Sequence, residues 1–221
     1  MLIGHFAVAF AAKRAAPEIS LGTLFLAAQL ADLVWPTLVL LGIETFSIRP
    51  GITAVTPLDF TRYPYSHSLV GMALWGVVLA AVYLAIRRRG FEAAVLFAVV
   101  LSHWLLDFVS HRPDLPLTLT GAERYGLGLW HSRIATLAVE GLLFAACVWI
   151  YVRATRPVDS TGRWALIGLV AFLAAVYLAN IFGPPPPGVA AVAWAAQAIW
   201  LLVAWGYWID RHRNRSSGTE P

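Results

Sequence analysis

Charge is what this sequence has least of. Of 221 residues, 13% are charged, 59% are hydrophobic, and mean hydropathy is +0.70. A soluble domain carries about a quarter charged residues, so this balance excludes a water-soluble globule and leaves a polytopic membrane protein. Cysteine is almost absent. Cys147 stands alone in an apolar run, so no intrachain disulfide can form. Lys13 is the only lysine, and the arginines cluster at helix ends, so the net charge of +4 carries no nucleic-acid signal. The opening MLIGHFAVAFAAKRAAP lacks the basic-then-apolar order of a cleavable signal peptide and is expected to be retained. There is no internal repeat.

What is present is apolar length. A span takes roughly 20 residues, and such runs lie near 21–43, 67–86, 91–110, 134–152, 164–181 and 189–209. The expected fold is an all-α, polytopic membrane helix bundle of about six spans, one domain over residues 1–210. The first 15 residues form an apolar helix too short to cross, which lies in the interface or re-enters the bundle. Residues 211–221, with His212, read as a disordered basic cytoplasmic tail.

Basic residues set orientation. Lys13, Arg14, Arg87, Arg88, Arg89, Arg153, Arg156, Arg163, Arg211, Arg213 and Arg215 fall at one end if six spans alternate. Both termini are then expected to be cytoplasmic, with loops 44–66, 111–133 and 182–188 facing outward. Trp35, Trp104, Trp130, Trp164, Trp194 and Trp208 lie near span ends or loops, as interfacial anchors would.

Against this apolar background stand His5, Asp32, His67, His103, Asp107, His111, His131 and Glu140. An ionisable group at membrane depth costs a few kcal/mol or more and points to function. Imidazole nitrogens and carboxylate oxygens are metal ligands. His103, Asp107 and His111 recur every four residues, on one face of a helix. Ser66 reads as the N-cap of the next span, with His67 in its first turn. Pro36 has no N–H for the carbonyl of residue 32, so a kink beside Asp32 is expected. A rise of 1.5 Å per residue lifts His5 roughly 12 Å above Lys13 and Asp32 roughly 16 Å above Leu21. The candidates thus form a column from mid-membrane to the outer face. His131 and Glu140, nine residues apart, point to opposite faces if both are helical.

Gly4-His5, Ala31-Asp32, Ser66-His67-Ser68 and Ser102-His103 through Asp107 together resemble, in order and spacing over roughly residues 1–135, the inner-membrane metal-dependent hydrolase family, also described as LexA-binding hydrolases. The resemblance implies a metal site at His5, Asp32, His67, His103 and Asp107. The chain departs from the family at Val34, where a second Asp is common, at Arg62 and Tyr63, where a His-Arg pair is common, and at His111, where a small hydroxyl residue is common. His111 and His131 are candidates to replace the missing groups.

The function expected is a metal-dependent hydrolase holding one or two divalent ions, zinc above all. It would act on an ester or phosphoester of a membrane-associated substrate through an activated water. Asp32 and Glu140 are the candidate bases, and Arg62, Arg112, Arg124 and Arg133 the candidate phosphate-binding groups. Membrane lipids are the expected partners. The rivals are a metal-ion or proton transporter using the histidine–carboxylate column, a phosphohistidine lipid phosphatase, and a noncatalytic membrane adaptor.

Overall fold

The 13 residues Ile3–Ala15 (α1), too few to cross a membrane, occupy the middle of the bundle. In this computed structural model, which describes residues 1–215, they pack against Leu21–Ala28 (α2), Gly90–Ser110 (α6) and Arg133–Ala154 (α7). Ile3, Phe6, Ala7, Ala9 and Phe10 are buried there. Of the two sequence expectations for this helix, entry into the bundle is the one realised. The reason is composition: α1 is apolar around its circumference, and such a helix belongs in a core.

Four further helices are long and apolar enough to span: Leu69–Arg87 (α5), α6, α7 and Ser160–Phe182 (α8). Val189–Arg211 makes a fifth, built as Val189–Ala196 (α9) and Ile199–Arg211 (α10). The pair α2 and Leu30–Leu40 (α3), bent by 54°, passes the same test of length and composition together, and makes a sixth if it is one broken span rather than a re-entrant loop. Their outer surfaces carry exposed Leu74, Val78, Ile134, Leu142, Trp164 and Leu201, an apolar exterior suited to lipid.

Several local expectations are corrected. The bend falls at Gln29, not at Pro36, which α3 runs through. The break is stabilised because the Ala28 carbonyl accepts from the His103 ring. His67 does not open the second span: it ends a separate turn, Pro64–His67 (α4), and Ser68 caps α5 by accepting from the Gly71 N–H. Trp35 and Trp104 are buried, and Trp104 Nε1 donates to the Pro116 carbonyl, because the loops fold back over these helix ends. Trp164, Trp194 and Trp208 are exposed as anchors would be.

Those loops form a cap from two small antiparallel pairs, Thr45–Ile48 (β1) with Leu58–Arg62 (β2), and Leu115–Pro116 (β3) with Arg124–Tyr125 (β4). At the opposite, basic end Lys13 binds Asp210 at 2.8 Å. The C-terminal ends of α1 and α10 therefore share one face of the bundle. The start of the expected disordered tail is ordered: Arg213–Arg215 (β6) pairs with Thr155–Pro157 (β5), and buried Arg213 donates to Thr155 and Gly162. Residues 216–221 lie outside the described residues. Asp159 caps α8, and the Gly162 N–H, then His212, hold its carboxyl below the usual range. The capping contribution is fully present above the usual range and is lost as pH falls below it, through the group's own lowered pKa.

α2 reaches the centre because α10 lets it approach. A Cβ on Gly22 would collide with the Tyr207 ring, and one on Gly206 would lie 3.0 Å from the Gly22 Cα. Small residues permit this contact between helices in lipid. Gly22→Val is expected to cost about 1–3 kcal/mol by overpacking, read as a lower melting temperature in detergent. An unchanged melt would show that the two helices can part without penalty.

Candidate metal centre

The polar groups converge where α1, α3, α4 and α6 meet. His5 comes from the first turn of α1, Asp32 from the first turn of α3, His67 from the end of α4, and His103 and Asp107 from α6. They make two overlapping triads, His5–His103–Asp107 and Asp32–His67–His103, each with its ligand atoms within 4.8 Å of one another. The expected tall column is in fact a compact cluster. The turn of α4 lowers His67 until its Nε2 lies 3.4 Å from Asp32 Oδ1.

Three rings are oriented the same way. His103 Nδ1 lies 2.7 Å from the Ala28 carbonyl oxygen. A carbonyl only accepts, so Nδ1 carries a proton, and in the neutral ring Nε2 then carries the lone pair. That lone pair faces Asp107 Oδ2 at 3.2 Å and Asp32 Oδ2 at 3.8 Å without a hydrogen bond to either. His67 Nδ1 lies 2.7 Å from Ser66 Oγ. His111 Nδ1 lies 2.9 Å from Asp114 Oδ1, and its Nε2 is 3.8 Å from Asp107 Oδ1. In each case an outer acceptor holds Nδ1 and the other nitrogen turns toward a carboxylate. Imidazole nitrogens turned toward carboxylates in a buried space could hold a cation between them, and rings so anchored are what metal sites use. The donor set of imidazole and carboxylate fits zinc and similar divalent ions.

His5 is held differently. Its ring stacks on His103 at 3.6 Å between centroids. Its Nε2 lies 3.1 Å from Asp107 Oδ1 and 3.0 Å from the Met1 nitrogen, which also contacts Asp107, and its Nδ1 is buried without a protein partner. Four of the five groups are closed off from solvent. The exception is Asp32, whose side chain is 28% exposed against 1% for His103, so the centre opens at Asp32. Beside it, Gln29 Nε2 and Trp35 Nε1 are buried donors without protein partners, three residues to either side.

The remaining candidates sit elsewhere. His111 borders the centre, packed against Trp130 and Phe60, and belongs to neither triad. His131 is exposed in the 129–131 turn and also belongs to neither. Glu140, the other candidate base, caps a helix. Its Oε2 accepts from the Leu2 N–H at 3.0 Å and the Gly4 N–H at 3.4 Å, capping α1 from across the bundle. Arg112 binds Asp59 and Asp114, Arg124 donates to the Asp114 and Thr61 carbonyls, and Arg133 to the Ala54 carbonyl. These three arginines staple the loop cap. Arg62 stands exposed on β2.

Sequence reasoning missed the supporting groups: the Ala28 carbonyl, Glu44, Tyr63 and Asp114. Burial, with the charges of Asp114 and Asp107, pushes the Tyr63 phenol well up, so it stays a donor to Asp114. Asp114 follows His111 by three residues, a spacing that could have been noticed. Nothing local marks Glu44, which acts across 22 residues on Ser66. No family model, no curated protein and no solved structure matches this chain.

Proposed function

We propose that the protein is a membrane-embedded, metal-dependent hydrolase acting on an ester or phosphoester of a membrane-associated substrate. The observation that carries this reading is the inward-turned set of histidine nitrogens around two carboxylates. His5, Asp32, His67, His103 and Asp107 would hold one or two divalent ions, zinc foremost, as expected from the family the motifs resemble. Such an ion supplies Lewis acidity, lowering the pKa of a water and polarising an ester.

The chain's own groups supply the rest. Asp32 is the exposed carboxylate, placed to take a proton from an attacking water. Gln29 Nε2 and Trp35 Nε1 are donors free to meet a substrate oxygen beside it. Arg62 is the arginine of the four left to meet a phosphate. The basic end is cytoplasmic by the distribution of arginine, so the centre opens toward the outer half of the membrane. Transport is disfavoured by what lies between His5 and Lys13: Phe6, Phe10, Phe25, Phe144 and Tyr151 pack ring against ring, an apolar plug below the centre.

Metal content of detergent-purified protein, by mass spectrometry, tests the reading. Near-stoichiometric zinc, manganese or iron is expected, and none in a His103→Ala/Asp107→Ala double variant. An ester and phosphoester screen would follow, with Asp32→Asn expected to lower kcat. Protein that holds no metal even after reloading with divalent ions would overturn the proposal.

A further inference from the structure

We infer that Glu44 is a positioning residue of the centre, acting through Ser66 to decide which nitrogen of His67 carries the proton. Glu44 is buried at the end of the loop that follows α3. Its Oε1 accepts from the Tyr65 and Ser66 N–H groups at 2.8 and 2.9 Å, and its Oε2 accepts from the Ser66 hydroxyl at 2.5 Å. A hydroxyl has one proton. Since Ser66 donates it to Glu44, the contact of Ser66 Oγ with His67 Nδ1 at 2.7 Å must have Nδ1 as its donor. The proton of the neutral ring is then on Nδ1, and Nε2 presents a lone pair 3.4 Å from Asp32. The direction of the whole relay, His67 to Ser66 to Glu44, follows from the carboxylate at its end.

The carboxylate also caps the turn of α4, which is a structural role. The two roles sit on different oxygens, and Glu44→Gln separates them. The amide oxygen of glutamine can still accept from the two backbone N–H groups. Its NH2 then faces Ser66 and can only donate. Ser66 must turn its proton toward His67 Nδ1, and the ring's proton moves to Nε2, where it blocks the lone pair. A near-isosteric change would thus switch His67 off as a ligand without unseating it. The inference gains its functional weight from the metal-site reading above, but the direction of the relay exists with or without metal.

The test uses metal-free full-length protein with 15N-labelled histidine, His67 being assigned by its loss in His67→Gln. A protonated Nδ1 is expected in the wild type and an unprotonated Nδ1 in Glu44→Gln, with the two proteins melting alike. Divalent-metal affinity should fall about 10–100-fold in Glu44→Gln, the range typical for outer partners of ligating histidines. Ser66→Ala, which removes the acceptor, should weaken metal binding comparably. A wild-type Nδ1 without a proton, or a Glu44→Gln Nδ1 that keeps one, would overturn the inference. Nitrogen shifts as expected in a protein that binds no metal would instead uphold the relay and count against the hydrolase reading.

Discussion

His103→Ala is expected to strip the protein of divalent metal altogether. His103 is the one residue common to both triads. Its Nδ1 is committed to the Ala28 carbonyl, so a single nitrogen, Nε2, serves both. Losing it removes the ligand that joins Asp32–His67 on one side to His5–Asp107 on the other, and neither pair alone supplies the donors of a tetrahedral site. The metal-to-protein ratio should drop to background. His5→Ala and His67→Ala each leave one triad whole, and their ratios report how many ions the centre takes. If one ion uses both triads, each single variant weakens binding without changing the stoichiometry at saturation. If two ions are held, the one lone pair of His103 Nε2 ligates only one of them, so the two variants lose metal unequally. His131→Ala should match the wild type, because that ring is exposed in the 129–131 turn. A His103→Ala protein that still carries stoichiometric metal would place the ion elsewhere. The variant also releases the Ala28 carbonyl at the α2–α3 break, and an unpaired buried backbone group costs about 1–3 kcal/mol. Melting temperature and metal content are therefore both measured, so that a misfolded centre is told apart from an empty one.

The second large effect is expected at Glu140, through stability rather than chemistry. The first N–H groups of a helix have no partner within it. In α1 those groups lie inside the bundle, where water does not reach them readily, and the Glu140 carboxylate takes two of them. Glu140→Ala leaves both unpaired at the positive end of the helix, a loss of about 1–3 kcal/mol for each unsatisfied buried group. Because α1 packs against α2, α6 and α7, the whole bundle should melt at a lower temperature. His5 follows Gly4 directly, so metal affinity should fall as well. Glu140→Gln keeps an accepting oxygen and should lie between the two. Wild-type melting and wild-type metal content in Glu140→Ala together would show that the first turn of α1 is satisfied by other means.

The apolar runs make the helices legible from sequence. Five of the six expected spans match helices long and apolar enough to cross, and the sixth matches the bent pair α2–α3, each to within a few residues, because a run of roughly 20 apolar residues has few options other than to enter a membrane. The residues of the two triads are legible for a related reason. In a chain this poor in charge, each buried histidine or aspartate stands out, and the i, i+4 spacing of His103 and Asp107 places them on one helix face. The same reliance on residue type explains the two candidates that fall outside the triads. His111 and His131 share the chemistry of the triad residues, and residue type does not reveal where a loop turns.

Only the tertiary structure decided how the site is assembled. The choice between an interfacial and a buried α1 depends on which helices enclose it, and that is a packing outcome. The bend at Gln29 rather than at Pro36 depends on His103, 75 residues from the carbonyl it bonds. The capping of α1 by Glu140, the other candidate base, could not be read locally because its partners, Leu2 and Gly4, lie 138 and 136 residues away in sequence. The hydrogen bonds that aim His67, His103 and His111 likewise come from groups whose importance is set by proximity alone: a backbone carbonyl, a loop glutamate and a loop aspartate. Composition and period fix which segments are helices and which side chains are costly to bury. Which of those side chains meet, and which of their atoms face each other, is fixed by long-range contacts that no local pattern encodes.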